Sequence, residues 1–219
     1  MQTQAVEDYL KTIFELQTER GKAATTVLAQ RLGVAPASAT VMIKKLAAAR
    51  LVTHRPYQGV VLTASGEKIA LEVLRHHRLV ERFLAESLGV PWDEVHAEAE
   101  RWEHVLSEEL EDRMDALLGH PTTDPHGSPI PTSDGAVPRR AALTLAELEP
   151  GQGAVVAEVA DEDPELLRYL GRLGLYPGAE LAVVAAAPFE GPLTVQVGRA
   201  EHPLGRETAR RVRVEVTSR

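Results

Sequence analysis

Residues 25–63, TTVLAQRLGVAPASATVMIKKLAAARLVTHRPYQGVVLT, decide the fold of the first third of the chain. Thr25 and Thr26 offer an N-cap to a short helix over residues 27–32, and Gly33 ends it. Pro36 suits the first turn of the next helix, where its missing N–H has no partner to lose, and the apolar spacing carries that helix to about Ala49. Two strand-like runs follow, residues 51–54 and 60–63, with Pro56, Tyr57, Gln58 and Gly59 as the turn between them. Upstream, Val6, Tyr9, Leu10, Ile13, Phe14 and Leu16 recur at a helical period until Gly21 interrupts it. Helix, helix, turn, helix and a two-stranded ribbon spell a winged helix-turn-helix, whose second motif helix lies in the DNA major groove.

The tip of that second helix is small. Ala35, Pro36, Ala37, Ser38 and Thr40 let a helix backbone approach base edges, with hydroxyls for polar contacts and methyls for thymine. Lys44 and Lys45 further along, and Arg55 and Gln58 on the wing, reach toward phosphate, where contacts fix register and carry little sequence information. Thr26 completes the candidate DNA contacts. A winged helix used for protein contacts is the alternative.

Charge divides the chain. The formal net charge is −8, yet residues 1–75 carry 10 Lys/Arg against 6 Asp/Glu, and residues 76–137 carry 4 against 14. A basic front joined to an acidic middle fits a polyanion-binding module followed by a cation-binding one. A long helix from Ala64 to about Leu88, capped by Thr63, is expected to lead into the acidic middle, which continues as further helix over residues 92–118. In VHAEAERWEHVLSEEL, residues 95–110, His96, Glu100, Glu103 and His104 fall along one stripe of such a helix. Upstream, His77 and Glu81 are four apart. His77, Glu81 and His96 could form one metal site, and Asp8, Glu100, Glu103 and His104 another, if the helices cross. Helical His and Glu four apart are also ordinary solvated neighbours, worth about 0.2–0.5 kcal/mol. Glu108, Glu109, Glu111 and Asp112 read as a solvated acidic face. His54, His76, His120 and His202 read as surface or loop residues, and Trp92 and Trp102 as packing.

The chain has no Cys, so it offers neither disulfides nor thiolate ligands. No apolar run approaches the ~18 residues of a membrane span, and the N-terminus lacks a basic n-region, so a cytoplasmic location is expected. Residues 119–138, with five Pro and three Gly, have a linker composition that could dock on the following domain or pass it by. Beyond residue 143, β-like runs at 155–159, 180–185, 193–198 and 211–216 surround one short helix over 165–173, the pattern of a small SH3-like barrel.

These stretches together resemble the diphtheria-toxin-repressor family of metal-dependent transcriptional regulators. The resemblance rests on VEDYLKTIFEL, LVTHRPYQGVVLTASGEKIA, HHRLVERFL, VHAEAERWEHVLSEEL and DPHGSPIP, and covers about residues 4–135. LLRYLGRLGLYPGAEL resembles the family's SH3-like third domain, also found in small iron-transport accessory proteins. The resemblance implies a mainly α chain with a β-rich C-terminal domain. Residues 1–72 would be the winged helix-turn-helix, 73–138 the helical metal-binding and dimerisation part, and 139–219 the SH3-like domain. It implies a primary, activating site at Asp8, Glu100, Glu103 and His104, and an ancillary site at His77, Glu81 and His96 with Asp163 from the third domain. Leu166, at a position where the family has a ligand, cannot coordinate, and Asp161, Glu162 or Glu165 could stand in for Asp163. Asp8 and Glu100 replace the Met and Cys of iron-responsive members, which points to Mn(II), with Fe(II) as the alternative. Lys11 stands where short manganese-responsive members have another Glu, which argues for two separate sites. The expected partners are a palindromic double-stranded DNA operator and a second copy of the chain, with no membrane and no small-molecule substrate.

Two other classes compete. A di-metal carboxylate enzyme needs Glu-x-x-His on each of two helices, and Glu100-x-x-Glu103 and His77-x-x-x-Glu81 both depart from it. A metal-binding adaptor without specific DNA binding would keep the sites and lose the readout.

Overall fold

The computed structural model describes residues 3–55, 59–138 and 142–217. They form two units. Unit 1 comprises Met1–His77, Trp102–Glu111 and Pro131–Val137; unit 2 comprises Arg78–Arg101, Asp112–Ile130 and Pro138–Arg219. Residues 73–138, expected as one part, are shared between them.

In unit 1, α1 (Gln4–Arg20) buries Tyr9, Leu10, Ile13 and Leu16 and stops at Gly21, which takes a left-handed φ of 77°. The helix-turn-helix is α2 (Thr25–Arg31) and α3 (Pro36–Ala48), whose axes differ by 109°. Ala24, not a threonine, occupies the N-cap of α2, and no side-chain cap bond forms there. Ile43 and Leu46 of α3 pack with Leu28, Leu10 and Ile13 in one core. The wing pairs β1 (Val52–Arg55) with β2 (Gly59–Leu62). A bridge between Ala23 and Val60 ties the wing to the loop before α2. Gly59 sits at φ +89°, and a Cβ there would lie 2.8 Å from the Ala23 carbonyl oxygen. Thr63 Oγ1 accepts from Gly66 N at the start of α4 (Ala64–Leu88), as the sequence predicts.

The helix expected over residues 92–118 is broken. It forms α5 (Val95–Trp102) and α6 (Glu108–Leu117), with residues 103–105 in a turn. Ser107 is the physical reason: its carbonyl accepts from Leu110 N and Glu111 N, and its hydroxyl also accepts from Leu110 N, so a new helix starts there.

Unit 2 contains a six-stranded antiparallel sheet in the order β3-β8-β4-β5-β6-β7. Its strands are β3 (Leu143–Thr144), β4 (Gly153–Val159), β5 (Glu180–Ala186), β6 (Leu193–Val197), β7 (Ala200–Leu204) and β8 (Val212–Val216), with α7 (Pro164–Arg172) and α8 (Arg206–Arg210). Val156, Val159, Leu167, Leu170, Val183, Val195 and Val214 fill its core. The sequence pattern missed β7 because Ala200–Leu204 contains Pro203; the strand lies at the sheet edge, where a missing donor is tolerated.

Residues 126–128 of the Pro-rich segment dock on this sheet. His126 O accepts from Val159 N at 2.9 Å, and Ser128 Oγ donates to Glu158 Oε1 at 2.8 Å. Gly127, at φ +91°, passes so close that a Cβ would meet the Ala157 carbonyl oxygen at 2.0 Å. Trp92 packs its ring 4.7 Å from that of Tyr176. No single helix is long and apolar enough to cross a membrane.

Candidate metal centres and nucleic-acid surface

The turn after α5 places Glu103 and His104 beside α1. Ligand atoms of Asp8, Glu103 and His104 lie within 4.8 Å of one another. Glu103 is buried, and the His104 side chain is nearly so. Glu7, which the sequence reading passed over, approaches His104 Nδ1 at 2.6 Å. A carboxylate accepts only, so Nδ1 carries a proton and Nε2 is the ring nitrogen left for a metal. Nε2 is buried, makes no hydrogen bond and lies 2.7 Å from Asp8 Oδ1. A ring nitrogen and a carboxylate oxygen at that distance fit a cation shared between them, a proton or a metal ion that displaces it. A cavity of about 400 Å³, lined by Glu7, Glu72, His76, Glu103 and His104 among others, adjoins the cluster.

The second cluster lies in unit 2. Glu81 of α4, Asp124 and His126 of the docked segment, and Asp161 after β4 bring four ligand atoms within 4.8 Å of one another. His126 Nε2 donates to the Trp92 carbonyl oxygen at 2.7 Å, since a carbonyl can only accept. Nδ1 is fully buried, 3.7 Å from Glu81 Oε2 and 3.8 Å from Asp161 Oδ2, and makes no hydrogen bond, so the carboxylates around it call for a cation there, a proton or a metal ion that displaces it. Burial opposes a charged His126 ring, but Glu81, Asp124 and Asp161 outweigh it and push its pKa up to about 9. Burial, followed by the Glu81 charge, pushes Asp124 up to about 7. Asp124 Oδ1 accepts from the backbone N–H groups of His126 and Ser128, which aims the second oxygen into the cluster. Both centres therefore fit a hard or borderline divalent cation by orphaned buried nitrogens as well as by donor type. Asp8, Glu103 and His104 would hold one, and Glu81, Asp124, His126 and Asp161 the other.

The remaining expected ligands are distributed as follows. His96 Nδ1 lies 3.2 Å from Glu81 Oε1 and its Nε2 3.8 Å from Glu100 Oε1. His77 Nδ1 pairs with Glu103 Oε2. Asp163 is used otherwise: it is the N-cap of α7, accepting from Glu165 N and Leu166 N, and Asp161 supplies the carboxylate at the cluster. Asp124 and His126 escaped the ligand assignment because Pro-rich composition reads as linker. The Asp-x-His spacing inside DPHG was the available signal.

His76 is buried, not a surface residue. Its Nδ1 contacts the Glu103 carbonyl oxygen at 3.1 Å and its Nε2 contacts Glu111 Oε2 at 2.8 Å. Glu111, expected on a solvated face, is buried with Arg75 and His76. Burial opposes charge on both, yet their mutual attraction raises the His76 pKa and, with Arg75, lowers that of Glu111.

On the DNA side, Ala35, Pro36, Ala37 and Ser38 are exposed at the start of α3, with Lys44 and Lys45 exposed along it and Thr26 exposed on α2. The Thr40 hydroxyl donates to the Pro36 carbonyl oxygen at 2.8 Å, so its proton is spent on the helix and only its oxygen can accept. Arg55 ends β1, and Gln58 lies outside the described residues.

A winged helix-turn-helix with metal-ligand clusters and an SH3-like sheet defines a class, the metal-dependent DNA-binding regulators. The models that match are the iron-dependent repressor N-terminal DNA-binding domain over residues 1–60, the iron-dependent repressor metal-binding and dimerisation domain over 63–132, and the FeoA domain over 143–216. The iron-dependent repressor IdeR of Mycobacterium leprae is 34% identical, across 95% of this chain and 96% of its own length. The diphtheria toxin repressor of Corynebacterium diphtheriae is 29% identical over the same shares. A solved manganese-dependent transcriptional repressor in complex with manganese superposes at a TM-score of 0.91, with 41% identity, covering 97% of this chain and all of its own. The chain belongs to the iron-dependent repressor, or diphtheria toxin repressor, family of metal-dependent transcriptional repressors. It is a DNA-binding regulator, not an enzyme.

Proposed function

We propose that the chain is a Mn(II)-activated repressor that binds a palindromic operator as a homodimer and controls metal uptake. Residues 1–72 serve as the DNA-binding part, 73–138 as the metal-binding and dimerisation part, and 139–219 as the third domain. The observation that carries this reading is the convergence of the buried His104 Nε2, Asp8 Oδ1 and Glu103, with Nε2 making no hydrogen bond. Asp8 belongs to α1, which packs in the same core as the recognition helix. A divalent cation supplies charge neutralisation and a bridge at this point. Asp8, Glu103 and His104 hold it, Glu7 fixes the His104 tautomer, and α1 is thereby tied to the turn after α5. Two half-sites about one helical turn apart, ~34–36 Å, make DNA affinity depend on how firmly each winged helix is held. All-oxygen and imidazole donors suit Mn(II), and the 41% identical solved relative is named manganese-dependent. Fe(II) is the second reading, because the 34% identical relative is named an iron-dependent repressor.

The test is a fluorescence anisotropy titration of a palindromic duplex at fixed salt, with chelator, Mn²⁺ or anaerobic Fe²⁺. Mn²⁺ is expected to restore binding that chelator abolishes, and His104→Ala to lose the response. Specific binding indifferent to metal in both proteins would end the proposal, and a response to Fe²⁺ alone at buffered concentrations would transfer it to iron.

A further inference from the structure

Lys11 of α1 is buried, and its ammonium lies 2.6 Å from Glu103 Oε1 and 2.9 Å from Oε2. Glu103 is itself 1% exposed, and its Oε2 also takes the His77 ring. A charged lysine is seldom buried this far without a specific partner. Here the partner is one of the three residues that bring their ligand atoms together at the first cluster. Whatever cation Glu103 shares with Asp8 and His104 must coexist with a tethered positive charge on the same carboxylate.

We propose that Lys11 is a specificity-determining residue, a built-in competitor that shares Glu103 with the activating metal and sets the concentration at which it binds. This rests on the reading that Asp8, Glu103 and His104 hold that metal. Two arguments support it. The first is charge. Glu7, Asp8 and Glu103 are three carboxylates, and the Lys11 ammonium offsets one, so the formal balance matches one divalent ion and offers little to a second. The second is distance. An ammonium and a divalent cation on one buried carboxylate are close enough for like charges to repel strongly in a medium poorer than water. Together they weaken affinity by an order of magnitude or more, which places the threshold of a sensor above that of a scavenging site. The lysine also holds the Glu103 carboxylate in a fixed orientation, because both oxygens are engaged at once.

A merely structural ion pair predicts the opposite sign. Losing such a pair would loosen Glu103 and weaken metal binding, since an uncompensated buried charge destabilises its surroundings. The experiment uses the full chain stripped with chelator, titrated with Mn²⁺ against a fluorescent chelating indicator, for wild type, Lys11→Gln, Lys11→Met and Lys11→Arg. Lys11→Gln and Lys11→Met are expected to bind Mn²⁺ at this cluster at least tenfold more tightly. Lys11→Arg, which keeps the charge, is expected to stay within threefold of wild type. The rise in thermal midpoint on adding Mn²⁺ should be larger for Lys11→Gln than for wild type. If Lys11→Met fails to fold, Lys11→Gln carries the test, because its amide still donates to Glu103. Unchanged or weaker affinity in Lys11→Gln overturns the inference. His104→Ala separates the two levels of failure. If it binds as many Mn²⁺ per chain as wild type, the metal reading of the cluster falls and Lys11 falls with it. If it loses one Mn²⁺ while Lys11→Gln matches wild type, the role of Lys11 alone is lost.

Discussion

A histidine that donates one ring nitrogen to a carbonyl can give a metal the lone pair of the other once that nitrogen has released its proton. His126 is in that position, with Nε2 committed to Trp92 and Nδ1 buried among three carboxylates. His126→Ala is therefore expected to lower the metal content by one ion per chain while leaving the Asp8 cluster filled, as measured by elemental analysis after desalting. Asp124→Ala should do the same. It also leaves the N–H groups of His126 and Ser128 without their acceptor, at a cost of about 1–3 kcal/mol in unfolding free energy. The sequence shows these residues as an Asp-x-His pair in a Pro-rich stretch. It does not show that the stretch folds back onto a strand 30 residues later, because no local periodicity encodes that contact. Asp161 and Asp163 illustrate the same limit. Both are acidic and two apart, and only the start of α7 decides that Asp163 caps a helix while Asp161 faces the cluster.

At the scale of elements, the docked Pro-rich segment depends on a glycine. Gly127→Ala would put a methyl 2.0 Å from the Ala157 carbonyl oxygen at φ +91°, so the segment must lift off β4. A loss of about 3 kcal/mol or more is expected in chemical denaturation, by strain and by the lost Val159–His126 hydrogen bond, with hydrogen exchange at Val159 accelerated. The network of Arg75, His76 and Glu111 joins α4 to α6. Glu111→Ala removes one side of a nearly buried pair and is expected to cost about 3 kcal/mol. Its pH dependence follows from the two shifts. The raised pKa of His76 gives stability that is complete below the ordinary imidazole value of 6.5 and fades as pH climbs through the folded value. The lowered pKa of Glu111 gives stability that is complete above 4.5 and fades as pH falls through the folded value. The difference in stability between wild type and Glu111→Ala should therefore be largest between those two values and shrink on either side. A constant difference from pH 4 to pH 9 would contradict the assignment. In the sequence, Glu111 looks like one of four acidic residues on a wet helix face, because helix periodicity alone cannot tell which flank meets α4.

For the whole molecule, charge distribution sets the expectation. The basic first segment and the exposed Lys44 and Lys45 of α3 predict an operator affinity that falls steeply with salt. In the Mn²⁺-loaded protein, replacing both lysines with Ala should weaken binding to all sequences about equally and flatten the slope of log affinity against log salt by about 2 per chain. Substitutions at Ala37 or Ser38 should instead change which operators are preferred, because those residues lie at the tip that meets base edges. A uniform loss across operators on changing Ser38 would place that residue on phosphate.

The sequence by itself determined the order of elements, the winged helix-turn-helix, the β-rich third part and the residue types that can hold a cation. These follow from spacing within a dozen residues, where backbone geometry alone puts side chains on one face. Tertiary structure decided which of those residues meet. Glu7 and His104 stand 97 positions apart and Lys11 and Glu103 stand 92 apart, and each pair is brought together by a helix that stops at Trp102 when spacing would carry it on. Such contacts depend on how an entire core closes, and a periodic pattern holds no record of that closure.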